Sequence, residues 1–265
     1  DLNTLLGLLG SAKGEQQVFV QQAIVSAVNR SPDKSALGDR VISAFQTADA
    51  THKEAFFPIL SGIGGKKALA VVSDYSDSED MRLRGAAIAA SAAWVDVEAL
   101  PHLIALSRTV TDTELLDAVI TGLVRLIGMD DVPAAQKVLK LRDAFDVAQT
   151  AEQKEQILRA LEANKTYNAM LFAGRFLDDE QLKSTAANTV MNIALENKDL
   201  YGEDVTRLLN KVSGILSGSE SSYLRAAIRK HLAELPQGPG FVSLLQENLS
   251  GWKGLVADPI KRRAM

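Results

Sequence analysis

The chain contains no cysteine at all. That excludes disulfides, thiolate metal ligands and cysteine nucleophiles together, and it leaves the compartment open. Aromatic residues make up only 5% of the sequence. A β-sandwich would ask for more Val, Tyr, Trp and Thr at alternate positions, so a core of Ala, Leu, Val and Ile is implied, a mix that suits closely packed helices. A basic excess is also missing. The formal charge is −4 and the pI is near 5.5, which argues against a general nucleic-acid partner. No apolar run approaches the roughly 20 residues of a membrane span. The most hydrophobic stretch, Gly85 to Val95, is short, Ala-rich and flanked by charge. The three histidines, His52, His102 and His231, stand far apart with no carboxylate or second His at ligand spacing, so neither a metal nor another cofactor is expected. No Gly-x-Ser-x-Gly elbow or His-Glu-x-x-His occurs, and no catalytic residue is assigned.

What is present is 265 residues at 46% hydrophobic content, enough for one large domain or two ordinary ones. The sequence opens at Asp1 without a basic or apolar leader, and reads as a mature or trimmed piece.

Helix punctuation recurs along it. A capping box places Ser or Thr at the N-cap and Glu or Gln three residues on, so that both side chains satisfy orphan backbone N–H groups. Ser76/Glu79, Thr111/Glu114, Thr150/Gln153 and Ser217/Glu220 fit, and Asp178/Gln181 is a weaker version; successive starts lie 35, 39, 28 and 39 residues apart. Each is expected to open a long amphipathic helix. After Thr111, for example, Leu115, Leu116, Val119, Ile120, Leu123, Val124 and Ile127 form one stripe. A second helix follows a short turn, as from Pro133 to Arg142, and the turns 62–65, 127–131 and 162–165 hold Gly or Asn suited to a left-handed cap. Upstream, Glu15 to Asn29 and Pro32 to Ala48 read as two further helices and Leu2 to Leu9 as a partial one; Pro58 should kink the run from Thr51 to Ser61 or restart it. Ser76, Ser78, Glu79, Arg84 and Ala86 reappear 141 residues on as Ser217, Ser219, Glu220, Arg225 and Ala227. Helix pairs repeating at this length cannot bury their apolar faces singly and must stack.

On these residues the chain resembles the HEAT-like repeat family. Val97-Glu98-Ala99-Leu100-Pro101-His102-Leu103-Ile104-Ala105-Leu106 is similar to that family's second helix, and Asp77 with Met81-Arg82-Leu83-Arg84 and Ala86-Ala87 to the opening of its first. The equivalent Arg is missing from the repeats near Thr111 and Thr150. The resemblance implies an all-α fold, a right-handed α-α superhelix of about six helix pairs over residues 1–235, and it implies almost nothing about function.

A Pro/Gly-rich linker begins at Pro236, and the remaining residues to 265 lose the helical period. Phe241, Leu244, Leu249, Ser250, Gly251 and Trp252 resemble the opening of the 3-keto-disaccharide hydrolase family, a concanavalin-A-like jelly-roll, with Leu245 where that family has Phe and Gln246-Glu247-Asn248 in its turn. The resemblance implies a stub whose jelly-roll domain lies downstream, because such a fold needs around eight strands. The plainer reading makes Trp252 a cap on the last helix pair.

Several motifs tempt and are read blandly. Gly62-Ile63-Gly64-Gly65-Lys66-Lys67 hints at a phosphate cradle but suits an ordinary inter-helix turn. Asp74, Asp77, Glu79 and Asp80 do not fit a calcium loop. His102 reads as a helix-surface histidine. Five second-helix segments together carry 9 Lys/Arg against 4 Asp/Glu, whereas the first-helix segments carry 9 against 15. The second helices of such stacks line the concave face. Lys137, Lys140, Arg142, Arg175, Arg207 and Lys211 are therefore candidate binding residues for an acidic protein segment or an anionic glycan. Acids gathering at helix N-termini would produce the same bias.

Three functions are weighed. The first is a non-catalytic interaction or spacer module, the N-terminal part of a larger exported (periplasmic or cell-surface) bacterial carbohydrate-processing protein. The second is a cytoplasmic scaffold. The third, a HEAT-like DNA glycosylase or lyase, would need a basic groove with aromatic residues, and neither Trp94 nor Trp252 stands beside a basic cluster.

Overall fold

The structure, a computed structural model, describes residues 1–219, 221–236 and 238. Fifteen α-helices follow one another in it, and these residues form an all-α fold: α1 (Leu2–Leu9), α2 (Glu15–Asn29), α3 (Lys34–Thr47), α4 (Ala50–Lys53), α5 (Phe57–Ile63), α6 (Lys66–Ser73), α7 (Met81–Ala92), α8 (Leu100–Thr109), α9 (Thr113–Met129), α10 (Ala134–Val147), α11 (Ala151–Leu161), α12 (Tyr167–Gly174), α13 (Lys183–Glu196), α14 (Glu203–Ile215) and α15 (Ser222–Glu234). The capping pair Ser217/Glu220 and the segment from Phe241 to Met265 lie wholly or partly outside the described residues.

Helices pack on near neighbours in sequence. Within a pair, α7 meets α8, α9 meets α10 and α13 meets α14; between pairs, α7 meets α9, α9 meets α11, α11 meets α13, and α8 and α12 each meet α10. The hydrogen bonds repeat this spacing. Asn29 reaches the Gly62 carbonyl, 33 residues on, Arg125 the Ala92 carbonyl, 33 back, and Asn197 the Lys165 carbonyl, 32 back. Such bonds run from a separation of 22 residues (Lys53 to Tyr75) to 42 (His52 to Gly10). They join helices that lie close in chain order.

The expected stripe of α9 is its core face. Leu116, Val119, Ile120, Leu123, Leu126 and Ile127 are all buried, while Leu115 and Val124 are half-buried beside them. Aromatic residues are scarce, yet they are concentrated: six of the eight Phe form two groups. Phe45 meets Phe56, Phe57 and Tyr75, and Phe57 also meets Tyr75, with ring centroids 5.3 to 6.0 Å apart. Phe145, Phe172 and Phe176 stand 4.5 to 5.4 Å apart. These edge-on and tilted pairs pin particular helix crossings that the aliphatic core fills between.

Helix starts differ from the capping-box reading in an instructive way. Among the described residues, Thr150/Gln153 alone forms the reciprocal box. At α7 and α9 an aspartate just downstream takes the cap: Asp80 accepts from the Arg82 and Leu83 N–H groups and Asp112 from Leu115. By contrast, α13 follows Leu182 without a side-chain cap, and Asp179 fastens the turn before it by accepting from Gln181 and Leu182. A carboxylate is the stronger acceptor and also answers the helix dipole, and Ser76 turns instead to His102. The left-handed positions differ too. Lys165, not Asn164, takes φ 41 after α11, and Gly128 lies inside α9. Pro58 restarts the helix as expected: α4 passes through a 3-10 turn, Glu54–Phe56, into α5 with Pro58 in its first turn. Gln21 donates to the Ala55 carbonyl across this break at 2.8 Å.

Candidate interaction surface

The six cations singled out from the sequence stand on or just beyond α10, α12 and α14. Five of them are already engaged. Lys140 pairs with Asp130 in a partly buried bridge, Lys211 with Asp178 at 2.5 Å and Arg207 with Asp204 at 2.7 Å. Lys137 donates to the Gly128 carbonyl, 2.9 Å away. The Arg142 guanidinium lies over the Phe172 ring, 5.3 Å from its centroid. Arg175, just past α12, is exposed and makes no ion pair among the described residues. The residues thus share one layer of helices, but they do not converge on one point.

Beside Arg207, the Tyr167 hydroxyl donates to Asp204 at 2.6 Å. Burial first, and then this bond, push the phenol up to about 12. Arg207 and then Tyr167 hold the Asp204 carboxyl below its usual range. This is a bridge between α12 and α14, since a satisfied carboxylate of this kind orders the helices that share it.

The Gly-rich turn before α6 does open on a hollow. A cleft of about 630 Å3 lies between α3 and α6. Its floor includes Val28, Ile42 and Ile63, and Lys34, Lys66 and Lys67 stand at its rim. Its anion-binding geometry is used by the protein itself: the Gly65 N–H donates to the Asp96 carboxylate at 3.1 Å. Gly64, at φ 68, leaves no room for a side chain, because a Cβ there would overlap Asp96 and Val95. Lys67 is tied across the cleft to Asp39 at 2.8 Å. The turn before α6 is thus fastened to the segment between α7 and α8, which supplies the acid.

His102 is half-buried, with Nε2 3.3 Å from the Ser76 hydroxyl; burial depresses its pKa, while Asp77 opposes that shift. Asp77 and Asp80 belong to the turn and cap before α7, and among the described residues no group of three His or acidic side chains could hold a metal ion. No helix among them is long and apolar enough to cross a membrane. Sequence reasoning missed Arg125, whose guanidinium bonds the carbonyls of Ala92 and Trp94 at 3.1 and 2.6 Å. A lone Arg between Leu123-Val124 and Leu126-Ile127 was the available signal. It missed His52 as well, because the residues it joins lie 42 apart.

Compared with known proteins, the chain matches no protein-family model, and no curated protein sequence matches it.

Proposed function

We propose that this chain is a HEAT-like solenoid acting as a non-catalytic interaction or spacer module. The observation that carries this reading is the hydrogen-bond ladder of about one repeat, from Asn29–Gly62 to Asn197–Lys165. Polar side chains placed to fasten repeats serve a stack whose use is its surface. The docking face is the layer of second helices, which holds the cleft at Lys34 and Lys66 and the exposed Arg175. Its partner class is an acidic protein segment or an anionic glycan.

The resemblance of the segment at Phe241 to Trp252 extends the proposal. In this reading the module precedes the jelly-roll domain of an exported bacterial carbohydrate-processing protein, and it is not itself an enzyme. The test compares this chain with a version extended by about 200 residues, one domain's length, for hydrolysis of a 3-keto-glycoside. Turnover by the longer protein alone supports the reading. Turnover by the shorter one overturns it, and inactivity of both removes the hydrolase assignment.

A further inference from the structure

The junction between α1 and α4 is built around one imidazole. His52 Nδ1 lies 2.8 Å from both oxygens of Asp49, and its Nε2 lies 3.1 Å from the carbonyl oxygen of Gly10. Both partners can only accept. A neutral imidazole carries one N–H, so it satisfies one of them and turns a lone pair toward the other. The imidazolium donates to both. Gly10 is also the C-cap of α1, where the helix dipole favours a positive charge.

The surroundings leave this proton in control. Asp49 is the charged group facing the ring from its own helix, and α1 offers the Gly10 carbonyl. On α3, Ala44, Thr47 and Ala48 line the adjoining hollow of about 330 Å3, and none of them titrates. Arg40 of α3 bonds Asn3 at 2.5 Å, and the neighbouring Lys53 sends its ammonium to the Tyr75 hydroxyl, 2.9 Å away. The His52 side chain is 46% exposed, so it exchanges its proton with solvent. Beneath α1 lies apolar surface, because Leu2 and Leu9 are its buried residues and Phe56 lines the hollow beside Leu9.

We propose that His52 is a proton-dependent latch for the first helix: the imidazolium holds α1 on the stack, and its loss loosens α1 and uncovers the apolar surface beneath. The ring's pKa is raised by its bond to Asp49 first and by the charge of Asp49 second. Desolvation opposes that rise and the Gly10 carbonyl adds to it. Because Asp49 stays beside the ring when α1 opens, the Gly10 bond is what couples the proton to α1. Its stabilisation is present while the ring is protonated and fades as the pH climbs through the raised value.

Amide hydrogen exchange of residues 2–9, corrected for the intrinsic pH dependence of exchange, tests this between about pH 5.5 and pH 8.5. In the natural sequence the opening of α1 should increase with pH, by up to about tenfold for each unit separating the docked and free pKa values. The amides of α9 should not follow. In His52→Gln the profile should be flat and at the open level. A flat profile in the natural sequence, or the same rise in His52→Gln, overturns the latch. So does an NMR titration that places the His52 midpoint at or below about 6.5.

Discussion

Gly122 of α9 lies against the last turn of α7 at Ala92, so closely that a Cβ on it would stand 3.0 Å from the Ala92 Cα and carbonyl carbon. The obstacle is backbone, which cannot rotate aside. Gly122→Ala should therefore force α7 and α9 apart and cost about 1–3 kcal/mol, against the roughly 1 kcal/mol that removing a helical Gly returns. Gly85 of α7 has open space where its Cβ would go, so Gly85→Ala should stabilise by up to about 1 kcal/mol. Urea midpoints at unchanged slope distinguish the two.

Arg125 closes the same seam by donating to the carbonyls of Ala92 and Trp94. Arg125→Ala should lower stability by about 2 kcal/mol, the range for hydrogen bonds from a charged donor. Arg125→Lys should recover part of that, because an ammonium lacks the guanidinium fork that spans two acceptors. Thermal melts of the three proteins give the order.

Much of this architecture is legible in the residues. The apolar stripe of α9, the bounds of α1 and α2, and the restart at Pro58 all follow from spacing and proline chemistry. The caps before α7 and α9 were misplaced by four residues and one, because Asp80 and Asp112 compete with the nearby Ser76 and Thr111 and win on charge. The excess of basic residues in the second helices was legible only as composition. Pairing such as Lys140 with Asp130 and Lys211 with Asp178 depends on how neighbouring turns come together, which no local pattern encodes. The same holds for His52 and Gly10, whose meeting requires α1 to fold back over α3.

Those pairings set an expectation for charge changes. Lys211→Gln removes a cation already compensated by Asp178 and should alter affinity for a polyglutamate probe less than about twofold. Arg175→Glu replaces an exposed cation that lacks such compensation, and should weaken binding several-fold at low salt. Titrations at two ionic strengths check both; equal effects would contradict the assignment of the docking face.

Acid should act on the other two histidines in the opposite sense to His52. Burial lowers the pKa of His102 and of His231, with Lys198 adding to the second. A lowered pKa favours the neutral ring in the fold, so their stabilisation is present above about 6.5 and is lost as the pH falls through the lowered values. Urea midpoints should decline from about pH 7 to pH 5, and less steeply in the double variant His102→Gln/His231→Gln.

That each repeat is held chiefly by its neighbours is most directly tested by residue-resolved hydrogen exchange in Gly122→Ala. Protection should fall most in α7 and α9, less in α5 and α11, and least in α14, graded with distance from the substitution. A uniform fall from α2 to α14 would show one indivisible core and contradict the stack of neighbour-coupled repeats.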